Sequence, residues 1–253
     1  MLEINNLTAG YGKKTVLNNV SFKVPKNSIT AVIGRNSSGK STIISCINGQ
    51  IKYSGSIKVD GTDLQNLTLR ERAQKISVLS QFLTSPAFTV GQLVAFGRNP
   101  YIGLNGRMTD TDREIVASAI KSVGISNLEK RYVSSLSGGE RQMAYLAMVL
   151  AQNTDLIVLD EPTSFMDISN ESSFLKLLSE ICRKEGKTVL IVMHNLTYAV
   201  NFADNIVVID DGMVLYSGDK NECLQKNIIE NNFDVKRYFA KSDEKIMEFF
   251  AAE

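Results

Sequence analysis

The stretch Gly34-Arg35-Asn36-Ser37-Ser38-Gly39-Lys40-Ser41-Thr42 has the spacing G-x-x-x-x-G-K-[ST]. A chain of phosphates is bound well by a ring of backbone N–H groups, and glycines let the main chain curl tightly enough to present them. Lys40 adds a point charge for the β and γ oxygens, and the Ser41 hydroxyl is placed for Mg²⁺. The apolar run Ile29 to Ile33 reads as a buried strand, and Thr42-Ile43-Ile44-Ser45-Cys46-Ile47 continues as a helix whose positive end faces the anion. Strand, loop and helix in that order set the stretch apart from a chance Gly/Ser-rich turn.

Two further stretches carry chemistry. Leu156-Ile157-Val158-Leu159-Asp160-Glu161 is an apolar strand ending in two carboxylates, at the strand end where open α/β sheets bind ligands. Asp160 suits a Mg²⁺ that bridges two phosphates, and Glu161 is the candidate to orient and deprotonate an attacking water. Leu136-Ser137-Gly138-Gly139-Glu140 precedes the apolar helix Met143–Leu150. A serine and two glycines at a helix start expose backbone N–H groups without side-chain obstruction, which makes a second phosphate-binding surface. One nucleotide wrapped by the first loop has no use for a second surface on the same chain. The economical arrangement is a head-to-tail homodimer in which each copy lends its second loop to the other's ATP.

Taken together these residues resemble the ATP-binding-cassette (ABC) ATPases over about residues 1 to 220. The resemblance makes 34–42 the Walker A loop, Gln81 the Q-loop glutamine and Leu136–Glu140 the signature motif. Asp160-Glu161 becomes Walker B, Ser164-Phe165-Met166-Asp167 the D-loop and His194 the switch histidine. It implies that Tyr11 stacks on adenine, that Ser41, Gln81 and Asp160 surround Mg²⁺, and that Glu161, His194 and Gln81 serve hydrolysis. Ser137, Gly138, Gly139, Glu140 and Asp167 then act on ATP in trans. Thr89 to Pro100, with its Gly97-Arg98-Asn99-Pro100 step, and the later pair Gly106-Arg107 look like the iron-siderophore, haem and cobalamin importers within the family. The bland alternative for that step and the later pair is a turn with exposed arginines. The sequence departs from the family pattern at Ser37, where Gly is usual, at Asn195, where Asp usually follows the histidine, and at Phe165-Met166.

The elements that must position these residues follow from the apolar periods. Leu2–Leu7 and Val16–Val24 alternate as strands around the turn Gly10 to Lys14, Ser56–Gly61 is a short strand with its turn, Leu69–Gln74 is helical, and Ile76–Leu79 is a strand leading to Gln81. Between 82 and 152 helical periods dominate, with Thr109-Asp110-Thr111-Asp112 as the N-cap of a helix over Arg113–Val123 that Gly124 ends. Strands resume at Leu156–Leu159, Val189–Met193 and Ile206–Ile209, and Asp211-Gly212 turns into Met213–Tyr216. The predicted fold class is α/β: a RecA-like P-loop NTPase core with a parallel sheet (1–81 and 153–226), an N-terminal antiparallel β subdomain and an inserted α-helical subdomain (82–152). The tail 227–253, with Phe233, Tyr238, Phe239, Phe249 and Phe250, has no period that assigns its elements.

Over 253 residues, 28 basic groups nearly cancel 27 acidic ones, so no global field favours nucleic acid. Cys46, Cys182 and Cys223 lack C-x-x-C spacing and read as buried free thiols. The N-terminus carries no signal-like h-region, and no apolar run approaches the ~18 residues of a membrane span. The expectation is therefore a peripheral protein without direct membrane insertion. The family resemblance implies that it sits at the cytoplasmic face of the cell membrane through integral permease subunits, and through them serves a substrate-binding protein. A cassette ATPase without a transporter, of the iron–sulfur assembly type, would share every nucleotide motif. A small P-loop kinase is excluded because it has no use for 136–140.

Overall fold

The computed structural model describes residues 1–81, 83–103, 106–164, 166–241 and 246–252. The chain forms two compact units, Met1–Asn66 with Thr188–Glu253, and Leu67–Lys187. The first opens with strands β1 (Leu2–Tyr11), β2 (Lys14–Val24) and β3 (Ile29–Gly34), then helix α1 (Lys40–Asn48) and strands β4 (Tyr53–Val59) and β5 (Thr62–Asp63). β1 pairs antiparallel with β2 and β4 in a four-stranded sheet of order β2-β1-β4-β5. Its buried residues change parity, from Leu2 and Ile4 to Leu7 and Ala9, across register shifts that β1 makes with both neighbours. Asn6 is left-handed there, at φ 50°. Without such a bulge a period of two would turn Leu7 out of the core.

The second unit follows. It contains α2 (Leu69–Lys75), β6 (Ile76–Leu79), α3 (Val90–Ala95), α4 (Asp110–Ser122), α5 (Gly138–Ala151), β7 (Leu156–Asp160) and α6 (Ile168–Glu185). β6 and β7 pair in parallel, Ile76 beside Leu156 through Leu79 beside Leu159. Four of its helices start in capping boxes, at Thr68, Thr89, Thr109 and Ser137. Each such cap contributes about 1 kcal/mol. In the described part of 82–152 the regular elements are helical, as the periodicity predicts, and Thr109 caps α4 with Asp112 at the third position. Phe82, where that stretch begins, lies outside the described residues.

The chain then returns to the first unit with β8 (Thr188–Val192), α7 (Leu196–Phe202), β9 (Asn205–Asp210), β10 (Met213–Asp219), α8 (Lys220–Gln225), α9 (Ile228–Phe233), β11 (Val235–Lys241) and β12 (Ile246–Ala252). β3 lies between β8 and β9, parallel to both, and β10 runs antiparallel beside β9. Every residue of β3 and β8 is buried, which accounts for their unbroken apolar runs. Asp211 and Gly212, at φ 42° and 72°, form the two-residue turn between β9 and β10. The Gly212 N–H donates to the Ser38 carbonyl at 3.1 Å, so this turn props the loop at 34–42. The tail is an α-helical turn and an antiparallel hairpin, β11 with β12. All three cysteines are free and buried, and burial pushes the Cys46 and Cys223 thiols up to about 12. Among the described residues no helix is long and apolar enough to cross a membrane.

The Gly97-Arg98 step is an interior joint and not an exposed turn, whereas Arg107 of the later pair is exposed beside a left-handed Gly106, as the bland alternative has it. Arg98 is 6% exposed, and its Nε donates to Asp112 Oδ1 at 2.9 Å while Nη1 donates to the Ala151 carbonyl at 2.9 Å. Its guanidinium also lies 4.0 Å from the centroid of Tyr101. One side chain thus ties the start of α4 to the end of α5. Gly97 lets the backbones approach, since a Cβ there would stand 2.3 Å from the Met148 carbonyl oxygen. Hydrogen bonds from Thr109, then that from Arg98, hold the Asp112 carboxyl down at about 2. Removing one partner of a buried pair strands the other charge. Asp112→Asn should therefore destabilise the chain by about 3 kcal/mol in urea unfolding at neutral pH. Because the folded value lies below the ordinary one, the contribution is complete above about pH 4 and disappears as pH falls through about 2. The gap between wild type and variant should close over that window.

Candidate functional site

The phosphate loop is shaped by sterics before any ligand arrives. Gly34 ends β3 where a Cβ would lie 2.3 Å from the Ile209 carbonyl oxygen and 2.6 Å from Ser38 Oγ, so no larger residue fits. Ser37 is left-handed at φ 64° and Gly39 at φ 105°. Ser37 thus takes, at the position where the family pattern has Gly, the conformation that glycine adopts without strain. Lys40 is buried, and its ammonium donates to the Gly34 and Arg35 carbonyls at 2.9 and 3.0 Å, which draws the loop into a ring. Arg35, Asn36, Ser37 and Ser41 are exposed, whereas Ser38, Gly39 and Thr42 are buried. α1 has no side-chain cap at its N-terminus. A helix start of this kind is a favourable place for an anion.

Two other expected residues belong to the same unit. Tyr11, at the end of β1, is 53% exposed, so its ring face is available for stacking. His194 follows β8 and is exposed, and Asn195 caps α7 by accepting the Tyr198 N–H at 3.1 Å. Asn caps as well as Asp does. That departure from the family pattern therefore leaves the local structure intact.

The second unit carries the acid side of the chemistry. Asp160 ends β7 and is buried. Glu161 is buried and left-handed at φ 48°, a conformation that costs a non-glycine residue about 1 kcal/mol and is typical of functional sites. Its Oε2 accepts from the Gln81 amide at 2.6 Å and from Ser164 Oγ at 3.2 Å. The structure thus brings Gln81 and Glu161 together. Ser164 is a partner that sequence reasoning missed, although a serine three residues after an acidic residue in a turn is a local hydrogen-bonding signal.

Ser137 caps α5, taking the Glu140 N–H on its hydroxyl while its own N–H donates to the Glu140 carboxylate at 2.8 Å. The backbone and side chain of Ser137 hold the Glu140 carboxyl below its usual range. A Cβ on Gly139 would touch only the Asn170 amide, at 3.7 and 3.8 Å, so packing does not require glycine there. Asp167 caps α6, accepting from the Asn170 N–H and from Ser169 Oγ, and these bonds lower its pKa. A cavity of about 230 Å³ is lined by Ser137, Gly139, Met143, Met166, Asn170 and Phe174, beside both caps. Phe165, the other unusual D-loop residue, lies outside the described residues.

A phosphate loop between a buried parallel strand and an uncapped helix defines a P-loop NTPase. The profile of the ABC transporter family matches residues 17–164. The ferric enterobactin transport ATP-binding protein of Escherichia coli (strain K12) is 38% identical over 232 residues, 91% of this chain and 86% of that protein. The iron(3+)-hydroxamate import ATP-binding protein of Bacillus subtilis (strain 168) is 32% identical over 236 residues, 92% and 88% of the two chains. Among solved structures, a chain of an inward-facing ABC transporter described as of the metal-chelate type superposes with a TM-score of 0.86 at 27% identity, covering 99% of this chain and 96% of that one. The chain belongs to the ABC transporter family and is an ATPase of it, with the RecA-like fold expected from the motifs.

Ser37→Gly tests whether the odd loop residue is a strained substitute. Glycine adopts φ 64° without a Cβ, so the variant should be neutral or more stable by ~1 kcal/mol at most, with turnover kept. Thermal unfolding and an ATPase assay check this. Lost turnover at unchanged stability would instead make the serine hydroxyl a working group.

Proposed function

We propose that the chain is the energy-coupling ATPase subunit of an importer for metal chelates of the iron-siderophore, haem or cobalamin kind. It works as an ATP-bridged, head-to-tail homodimer on integral permease subunits at the cytoplasmic face of the membrane, and a substrate-binding protein delivers the cargo to the permease. The observation that carries the coupling is the 2.6 Å hydrogen bond from Gln81 to Glu161. Gln81 leads into the helical insert, so displacement of that insert alters the contact held by the candidate base. The substrate class rests on relatives named for ferric enterobactin and iron(3+)-hydroxamate transport, each matched over most of its length.

The roles follow from the chemistry of each group. The loop N–H groups and Lys40 take the charge of the phosphates, and Tyr11 stacks on the base. Glu161 accepts a proton from the attacking water, and His194 steadies charge on the γ-phosphate. Ser137, Gly138, Gly139, Glu140 and Asp167 serve the partner copy's ATP. The Ser41 hydroxyl, the Gln81 amide oxygen and the Asp160 carboxylate are each hard oxygen donors of the kind Mg²⁺ takes, and these residues would hold it. The chemistry that Mg²⁺ would supply there is positive charge against the phosphates.

A tagged Glu161→Gln chain purified from membranes in Mg-ATP tests the whole reading. The amide keeps the shape and cannot take the water's proton, so turnover should fall at least ~100-fold while ATP stays bound. The chain should elute as a dimer and bring a permease with it. Ordinary turnover would remove Glu161 from the mechanism, and a dimer that brings no permease would favour a cassette ATPase outside transport.

A further inference from the structure

The tail whose elements the sequence leaves unassigned reaches the phosphate loop. α9 ends at Phe233, and Asp234 turns the chain at φ 55° into β11. Arg35, the second residue of the phosphate loop, donates from Nε and Nη2 to the Asn232 carbonyl at 3.3 and 3.1 Å, and from Nη2 to Asp234 Oδ2 at 2.6 Å. Asn232 is itself tied to the Ile228 carbonyl at 2.7 Å. This is a fork of a planar guanidinium onto two acceptors in fixed geometry, which a lysine could not reproduce.

The acceptors are anchored by the hairpin. Arg237 of β11 lies beneath it, mostly buried, with Nε 2.9 Å from Glu230 of α9, Nη1 3.5 Å from Glu248 of β12, and Nη2 donating to Asn227. β12 is fastened in turn to α7, the helix that begins just after His194. Asn201 donates to the Glu248 carbonyl at 2.6 Å and accepts the Glu248 N–H, and the Phe250 N–H donates to Thr197 Oγ1 at 3.2 Å. The side-chain amide of Asn201 thus pairs with an edge strand as a neighbouring strand would. One end of the tail holds the phosphate loop and the other holds the helix that follows the switch histidine.

We propose that residues 227–241 and 246–252 form a strap that sets the phosphate loop for ATP, with Asp234 as its positioning residue acting through Arg35. Exposed ion pairs contribute little to global stability. The Arg35 and Asp234 side chains are 54% and 85% exposed, so the pair's effect falls on the placement of the loop and not on holding the fold. The proposal rests on the ATPase activity of the family, and wild-type turnover measured alongside reports any failure of that reading separately.

The test is a double-mutant cycle on Arg35 and Asp234, read as KM for ATP, kcat and thermal unfolding temperature. Asp234→Gly keeps the left-handed backbone accessible and deletes the carboxylate. It should raise KM for ATP about threefold with little change in kcat or unfolding temperature. Asp234→Asn, which also tolerates positive φ, should shift KM the same way by less. In an Arg35→Ala background neither substitution should shift KM further. An unchanged KM, or an equal rise with and without Arg35, would overturn the proposal, as would a KM rise matched by a falling unfolding temperature in both variants.

Discussion

A triphosphate carries several negative charges in a small volume, and the fold is arranged around meeting that charge with backbone N–H groups. Such a ring demands backbone angles that most residues avoid, and so the loop depends on Gly39 and a left-handed Ser37 and on a contact at Gly34 that excludes any Cβ. The ring would relax without support. Lys40 closes it from inside, the β9–β10 turn props it through Gly212, and the tail braces it through Arg35. A fully buried β3 between two parallel neighbours supplies the rigid base.

The second unit meets the opposite requirement. In the proposed mechanism a water loses a proton next to a charged phosphate, so a carboxylate has to be held in place and yet kept able to accept. Glu161 is fixed by a left-handed backbone and by donors from Gln81 and Ser164 on the same oxygen. Fixing a base through a residue that opens a helical insert suits an enzyme whose hydrolysis answers to movement elsewhere.

Much of this was legible in the sequence because local rules determine it. The phosphate loop, the carboxylates after β7, the serine start of α5 and the Thr109 cap are short patterns whose meaning lies in adjacent residues. The Arg98 joint was visible only as a habit of a subgroup, since its partners Asp112 and Ala151 lie 14 and 53 residues away. The tail was illegible for a related reason. Its inner face is lined by Arg237 and Glu248, and its contacts run to Arg35, Thr197 and Asn201 across long sequence separations. Neither a hydrophobic period nor a turn motif records such polar anchoring.

Under the proposed function this ATPase completes its chemistry with a second copy, because a second phosphate-binding helix start has no use on a chain whose first loop already wraps the nucleotide. The most direct measurement is ATPase specific activity against chain concentration, with sedimentation of the same samples in Mg-ATP. The account predicts that specific activity rises with concentration and follows the dimer fraction to a plateau. A specific activity that stays constant down to concentrations where the chain sediments as a monomer would contradict it.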